Sequence, residues 1–114
     1  VSFTGQVNHP EEYYKSAKII LLTSSFEGFP MCLIEALRFG VIPLTFDISA
    51  GVRSIVSNSG GIIIKNRNSN EMFLKLQELI NNKYLHSLSE KARLKSNRYT
   101  LNRIGEQWIN LLRK

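Results

Sequence analysis

The chain has 114 residues, 43% of them hydrophobic, which suits one soluble domain of ordinary size. Its formal charge is +6, and the excess is local: residues 1–82 carry seven Lys/Arg and seven Asp/Glu, whereas residues 83–114 carry eight Lys/Arg against Glu90 and Glu106. No apolar run approaches the ~20 residues of a membrane span, and the single cysteine, Cys32, excludes an internal disulfide and fits a reducing compartment.

In chain order, Val1-Ser2-Phe3-Thr4 is a short β-like run closed by Gly5. Pro10 suits the first position of a helix and Glu11 and Glu12 favour its dipole, with Tyr13, Tyr14 and Ala17 as its apolar face. Lys18 to Thr23 reads as a buried strand. Pro30 to Phe39 reads as a helix stopped by Gly40, and Val41 to Phe46 as the next strand, with Pro43 expected near its start or at a bulge. Asp47 to Gly51 is read as a loop, Val52 to Ser57 as a short helix, and Ile62 to Lys65 as a fourth strand after the Gly60-Gly61 turn.

The rest is helical. Asn68 with Glu71 three residues on resembles a capping box, and Met72, Leu76, Leu79 and Ile80 keep helical spacing. A second helix is predicted from about Lys83 to Lys95, with Leu85, Leu88, Ala92 and Leu94 inward. Thr100 caps a last helix striped by Ile104, Trp108 and Leu111 or Leu112. Short apolar strands alternating with helices predict an α/β fold: a Rossmann-like parallel sheet of about four strands with flanking helices.

The chemistry is expected at the front of the second helix. In open α/β sheets ligands sit beyond the carboxyl ends of strands, and the loop Thr23–Phe29 lies at such an end. Gly28 permits close backbone approach. The first N–H groups of a helix are unpaired and attract anions; Pro30 has none, so Met31, Cys32 and Leu33 are the expected donors to a diphosphate. Glu27 is placed to accept from sugar hydroxyls, and Glu35, about one and a half turns into the helix, to accept from two vicinal ribose hydroxyls. The plainer alternatives are that Glu27 serves the helix dipole and Glu35 pairs with Arg38.

Other polar residues give weaker signals. His9 and His86 are far apart and no His/Cys cluster has metal-ligand spacing, so no metal or other cofactor is expected. A thiol pKa can fall at a helix N-terminus, but no His neighbours Cys32 in sequence, and a core role is preferred. Asp47 reads as a loop cap. The basic segment 83–114 fits an anionic partner such as a membrane face, or a solvated helical surface. Tyr84, Tyr99 and Trp108 are too widely spaced to form a stacking platform, so no nucleic acid is expected.

The block Glu27-Gly28-Phe29-Pro30-Met31-Cys32-Leu33-Ile34-Glu35-Ala36-Leu37-Arg38-Phe39-Gly40-Val41-Ile42-Pro43 resembles the E-x7-E segment of the "group 1" retaining glycosyltransferases of family 4. Phe3-Thr4-Gly5 with Tyr13-Tyr14-Lys15-Ser16-Ala17, Gly60-Gly61-Ile62-Ile63-Ile64 and Trp108 fit the same context. Ala50-Gly51-Val52-Arg53 departs from it, because the family often has an acid there. The resemblance implies part of the C-terminal, donor-binding domain of a GT-B enzyme, apparently truncated at its N-terminus. It implies that Glu27 contacts the transferred sugar, that Gly28, Phe29, Pro30, Met31 and Cys32 border the sugar and diphosphate, and that Glu35 binds the ribose. It further implies a UDP- or GDP-sugar donor, a glycan or lipid-linked acceptor, retention without a metal, and a cytoplasmic location, peripheral at the inner face of the membrane.

Position 1 is Val rather than Met, so a fragment or excised domain is expected, with 1–114 as one partial domain. The family's N-terminal acceptor domain, and the Arg and Lys that neutralise the diphosphate, are then expected upstream. The piece alone is expected to be inactive. In the family's sheet the first two strands of the domain sit between the strand resembling Val1–Thr4 and the one resembling Ile19–Leu22, and without them the sheet should be interrupted or repacked. Two rivals stand beside this reading: a non-catalytic module binding nucleotide or an anionic surface, and another GT-B enzyme such as a sugar-nucleotide epimerase.

Overall fold

The computed structural model describes residues 1–114. The elements run α1 (Glu11–Ser16), β1 (Ile19–Leu22), α2 (Met31–Arg38), β2 (Ile42–Phe46), α3 (Ala50–Val56), β3 (Ile62–Ile64), a 3₁₀ turn (Lys65–Arg67), α4 (Ser69–Ile80), α5 (Leu85–Ser96), a second 3₁₀ turn (Asn97–Tyr99) and α6 (Leu101–Leu112). The three strands form one parallel sheet in the order β1-β2-β3. Ile19 pairs with Ile42 and Leu22 with Thr45 on one side of β2, and Leu44 pairs with Ile62 and Phe46 with Ile64 on the other.

Every residue of the central strand is buried, as a strand covered on both faces requires. Alternate side chains enter two cores. Ile42, Leu44 and Phe46 join Ile64, Met72 and Leu79 on the α4 side. Leu22, with the half-buried Ile20 and Ile63, joins Leu33, Ile34, Leu37, Val52, Ile55, Val56 and Ala92 on the α2, α3 and α5 side. The alternation is the period-two geometry of a strand read across three neighbours.

Pro43 sits inside this central strand, yet breaks no ladder bond. Ile42 N–H donates to Lys18 O at 2.9 Å, so the nitrogen of Pro43 faces the opposite side, ahead of the start of β3. Gly61 lies there, and a Cβ on it would run into the Pro43 ring and carbonyl.

The structure corrects several sequence expectations. There are three strands, not four: Val1–Thr4 lies outside the sheet, with Val1 and Phe3 fully exposed. A β-prone run becomes a strand only where a ladder partner reaches it, and none does here. The sheet that remains is continuous rather than interrupted. β1 is an edge strand, half-covered rather than buried, and Leu21 stays exposed. In α1 only Tyr14 is partly buried, stacked on Phe39 at 5.9 Å between ring centroids; Tyr13 and Ala17 face outward. α3 starts earlier than predicted because Ser49 caps it, its Oγ accepting from Val52 N–H at 3.1 Å.

The carboxy-terminal helices have the predicted caps and different interiors. Asn68 accepts from Glu71 N–H at 3.0 Å and Thr100 from Arg103 N–H at 3.4 Å. Ile80 and Leu94 point outward, whereas Lys95 is 6% exposed. Its burial, then Arg98, lowers the Lys95 pKa. α6 carries its apolar stripe but fully buries none of it: Trp108, Leu111 and Leu112 are exposed, and Ile104 alone is partly covered.

Candidate active site at the carboxyl end of the first strand

The segment from Thr23 to Pro30 leaves the carboxyl end of β1 and enters α2 without regular structure. Three parts of the fold hold it. From beyond β3, Arg67 donates to Ser24 O at 2.7 Å and to Thr23 O at 3.2 Å, and its guanidinium lies 4.9 Å from the centroid of the Phe46 ring. From the N-terminus of α3, Ser49 Oγ donates to Gly28 O at 3.1 Å, and Gly51 presses its bare Cα side against the same carbonyl. The Phe29 ring meets Tyr99 edge to face at 5.8 Å.

Glu27 is half-buried and its Oε1 accepts from Ser24 Oγ at 2.8 Å. Glu35 is also half-buried, and its Oε2 accepts from Tyr14 Oη at 3.2 Å. No ion pair joins Glu35 to Arg38, so that alternative is not realised, and Glu27 has no cation either. Both carboxylates act on the thiol of Cys32, which stands between them in sequence. Burial first, then Glu27 and more weakly Glu35, push the Cys32 pKa up. The fall that a helix N-terminus can cause is therefore reversed.

Glu35 opens into a cavity of about 360 Å³ with Glu11, Tyr14, Arg38 and Phe39, which Glu27 does not line. Glu27 thus precedes α2, Glu35 lies within it, and of the two acids only Glu35 lines this cavity. The phenol of Tyr14 has its pKa pushed up to about 12, by burial first and then by the Glu35 charge. Below pH 10 it remains a proton donor, so it orients one Glu35 oxygen and leaves the other for a ligand hydroxyl.

Pro30 is extended (φ −72°, ψ 110°) and stands just before α2 rather than inside it. Of the three expected donors, Leu33 is already engaged, its N–H donating to Pro30 O at 3.2 Å. Met31 and Cys32 N–H keep no protein partner and point out of the helix end, where an anion is favoured. Gly28 has open space where a Cβ would stand.

Arg67 and Tyr14 are the site residues that sequence reasoning missed. Tyr14 appeared only as an apolar face, and nothing in the local pattern shows that Arg67 reaches back across the sheet. Asn66 and Arg67 both have positive φ, 56° and 51°, a conformation that costs non-glycine residues energy and that turns the arginine toward the loop. Arg67→Ala is expected to cost about 1 kcal/mol in urea denaturation, an exposed charged hydrogen bond being at the low end of its range. Arg67→Lys is expected to recover only part of it, since lysine lacks the planar fork that serves two carbonyls. Full recovery would reduce Arg67 to a point charge.

An α/β sheet with a pinned polar loop, two acids and an open helix start at one strand end is the domain type of GT-B glycosyltransferases. The chain belongs to the glycosyl transferases group 1 family, whose sequence model matches residues 1–97. It is 37% identical over 114 residues to an uncharacterized glycosyltransferase of Haemophilus influenzae, covering 98% of this chain and 32% of that protein. It is 32% identical to the poly(ribitol-phosphate) alpha-N-acetylglucosaminyltransferase of Staphylococcus aureus, covering 97% of this chain and 23% of the relative. Among solved structures, that of TarM superposes with a TM-score of 0.83 at 31% identity, over 97% of this chain and 23% of that one. The chain therefore spans a third or less of the length of these relatives.

Proposed function

We propose that this chain is the donor-binding part of a retaining glycosyltransferase that moves a sugar from a UDP- or GDP-sugar to a glycan or lipid-linked acceptor. The observation that carries the reading is the E-x7-E block in its structural setting. Glu27 stands in the pinned loop, Met31 and Cys32 offer free N–H groups at the start of α2, and Glu35 opens to its own cavity. Two relatives are named for acceptors of the proposed kinds, one for poly(ribitol-phosphate) and one, from Campylobacter jejuni, for a diphosphate-linked undecaprenol glycan.

In this reading the amides of Gly28, Phe29, Met31 and Cys32 receive the diphosphate. Negative charge develops there as the glycosidic bond breaks, and donors already in place stabilise it without reorganising. Glu27 faces the transferred sugar, whose ring carbon becomes cationic. Glu35, with one oxygen held by Tyr14, binds the ribose through the other. The reaction is proposed to run without a metal, on a parent enzyme that is cytoplasmic and peripheral to the membrane, and the isolated chain is proposed to be inactive.

Calorimetric titration of the parent enzyme with UDP- and GDP-sugars, alongside turnover, tests the assignment. Glu27→Ala is expected to lower kcat by about 10²-fold, as loss of one transition-state contact does. Glu35→Ala is expected to raise KM by about tenfold or more, the weight of a charge-assisted hydrogen bond. Unchanged donor affinity and turnover in both variants would sink the proposal, and turnover by the isolated chain would sink its last part.

A further inference from the structure

A second concavity lies at the other end of the sheet. Lys18 immediately precedes β1 and Gly40 precedes β2, so this cavity of about 330 Å³ opens at the amino ends of the strands. Its rim gathers cationic or protonatable groups from separate elements: Lys15 of α1, Lys18, and His86 and Arg93 of α5. Its floor is apolar, with Phe39 and Leu85. Only part of the rim is neutralised by neighbours. Lys15 pairs with Glu12 at 2.9 Å and Arg93 with Glu90 at 3.5 Å, while Lys18 and His86 have no acidic partner.

The arginine side chain, about half exposed, lies against Gly40. Gly40 has φ +73°, and the position its Cβ would take lies 2.7 Å from Arg93 Nε and 2.9 Å from Nη2. Ser89 Oγ donates to Gly40 O at 2.8 Å and ties α5 to this corner. A planar guanidinium laid on a residue without a side chain, beside an unpaired lysine, is preorganised for an oxyanion. With Lys15 and Arg93 each beside an acid, Lys18 is the cation of this hollow that an anion would complete.

We propose that this cavity is a second anion site, distinct from the loop at the carboxyl ends, and that it takes a phosphate-class ligand: a soluble phosphate compound or the phosphate of a lipid headgroup. Part of the basic excess of residues 83–114 then has a defined place, through Arg93.

The test is an amide-resolved NMR titration of the 114-residue chain with inorganic pyrophosphate at constant ionic strength. Saturable shifts are expected at Lys18, Gly40, His86 and Ser89, described by one dissociation constant. The Lys18→Ala/Arg93→Ala double variant is expected to weaken that binding about tenfold or more, with the dispersion of its spectrum reporting that it is folded. Lys18→Arg alone should retain it. Shifts confined to Gly28–Leu33, shifts that never saturate, or unchanged affinity in a folded double variant would each overturn the proposal. A second arm separates the sources. If vesicles of phosphatidylcholine with phosphatidylglycerol hold the chain and pyrophosphate releases it, the ligand is the headgroup. Pyrophosphate binding without vesicle binding, or with vesicle binding that pyrophosphate does not displace, identifies a soluble phosphate.

Discussion

Gly51→Ala is expected to destabilise the protein and to loosen the candidate site together. The position is the second residue of α3, where alanine would ordinarily be the better helix former by roughly 0.5–1 kcal/mol. Here the added methyl would overlap the carbonyl of Gly28, a backbone atom in the loop between the two acids. Overpacking of this kind costs about 1–3 kcal/mol, so the steric term exceeds the propensity gain. Relief requires the Gly28 carbonyl to retreat, which breaks its bond from Ser49 Oγ and shifts the loop carrying Glu27. Urea denaturation should show the loss of stability, and titration of the parent enzyme with UDP-sugar should show weakened binding. Equal or greater stability in Gly51→Ala would mean that the loop yields freely and that the site is not held from α3.

The largest effect on stability is expected from Leu33→Ala. Leu33 is fully buried in the core shared by α2, α3, α5 and β1, two residues after the exposed Met31. Truncating a buried leucine costs about 2–5 kcal/mol, the lost transfer energy plus the cavity left behind. For a domain of this size that lowers Tm by about 10 °C or more. Met31→Ala in the same helical turn should change stability by no more than about 0.5 kcal/mol. Similar losses in the two variants would contradict the orientation of α2, with Leu33 inward and Met31 outward.

The strand-to-helix passage was legible because its signals are local. Ile19–Leu22 is a short apolar run, Gly40 takes the left-handed turn that ends α2, and Asn68 and Thr100 cap as their types require. The E-x7-E block was legible as spacing and as resemblance. What could not be read was the support behind it. The bond from Tyr14 to Glu35 spans 21 positions and that from Arg67 to Ser24 spans 43. Periodicity also marks an apolar stripe without saying whether anything covers it. Met72 and Leu79 are buried where the sheet meets them, while Trp108 and Leu112, on an equally regular stripe, stay largely exposed.

By itself the sequence determined the α/β class, the positions of the acids at the mouth of α2, the caps, and the concentration of positive charge after residue 82. Those depend on neighbouring side chains and backbone preferences. The tertiary structure alone decided that three strands pair rather than four, that Leu33 N–H is taken while Met31 and Cys32 remain free, and that burial raises the Cys32 thiol. It also decided that Lys18, His86 and Arg93 share one hollow. The strand pairing and the shared hollow are contacts between segments distant in the chain, set by how the helices pack on the sheet, whereas the Leu33 bond to Pro30 O is local and follows from where α2 begins.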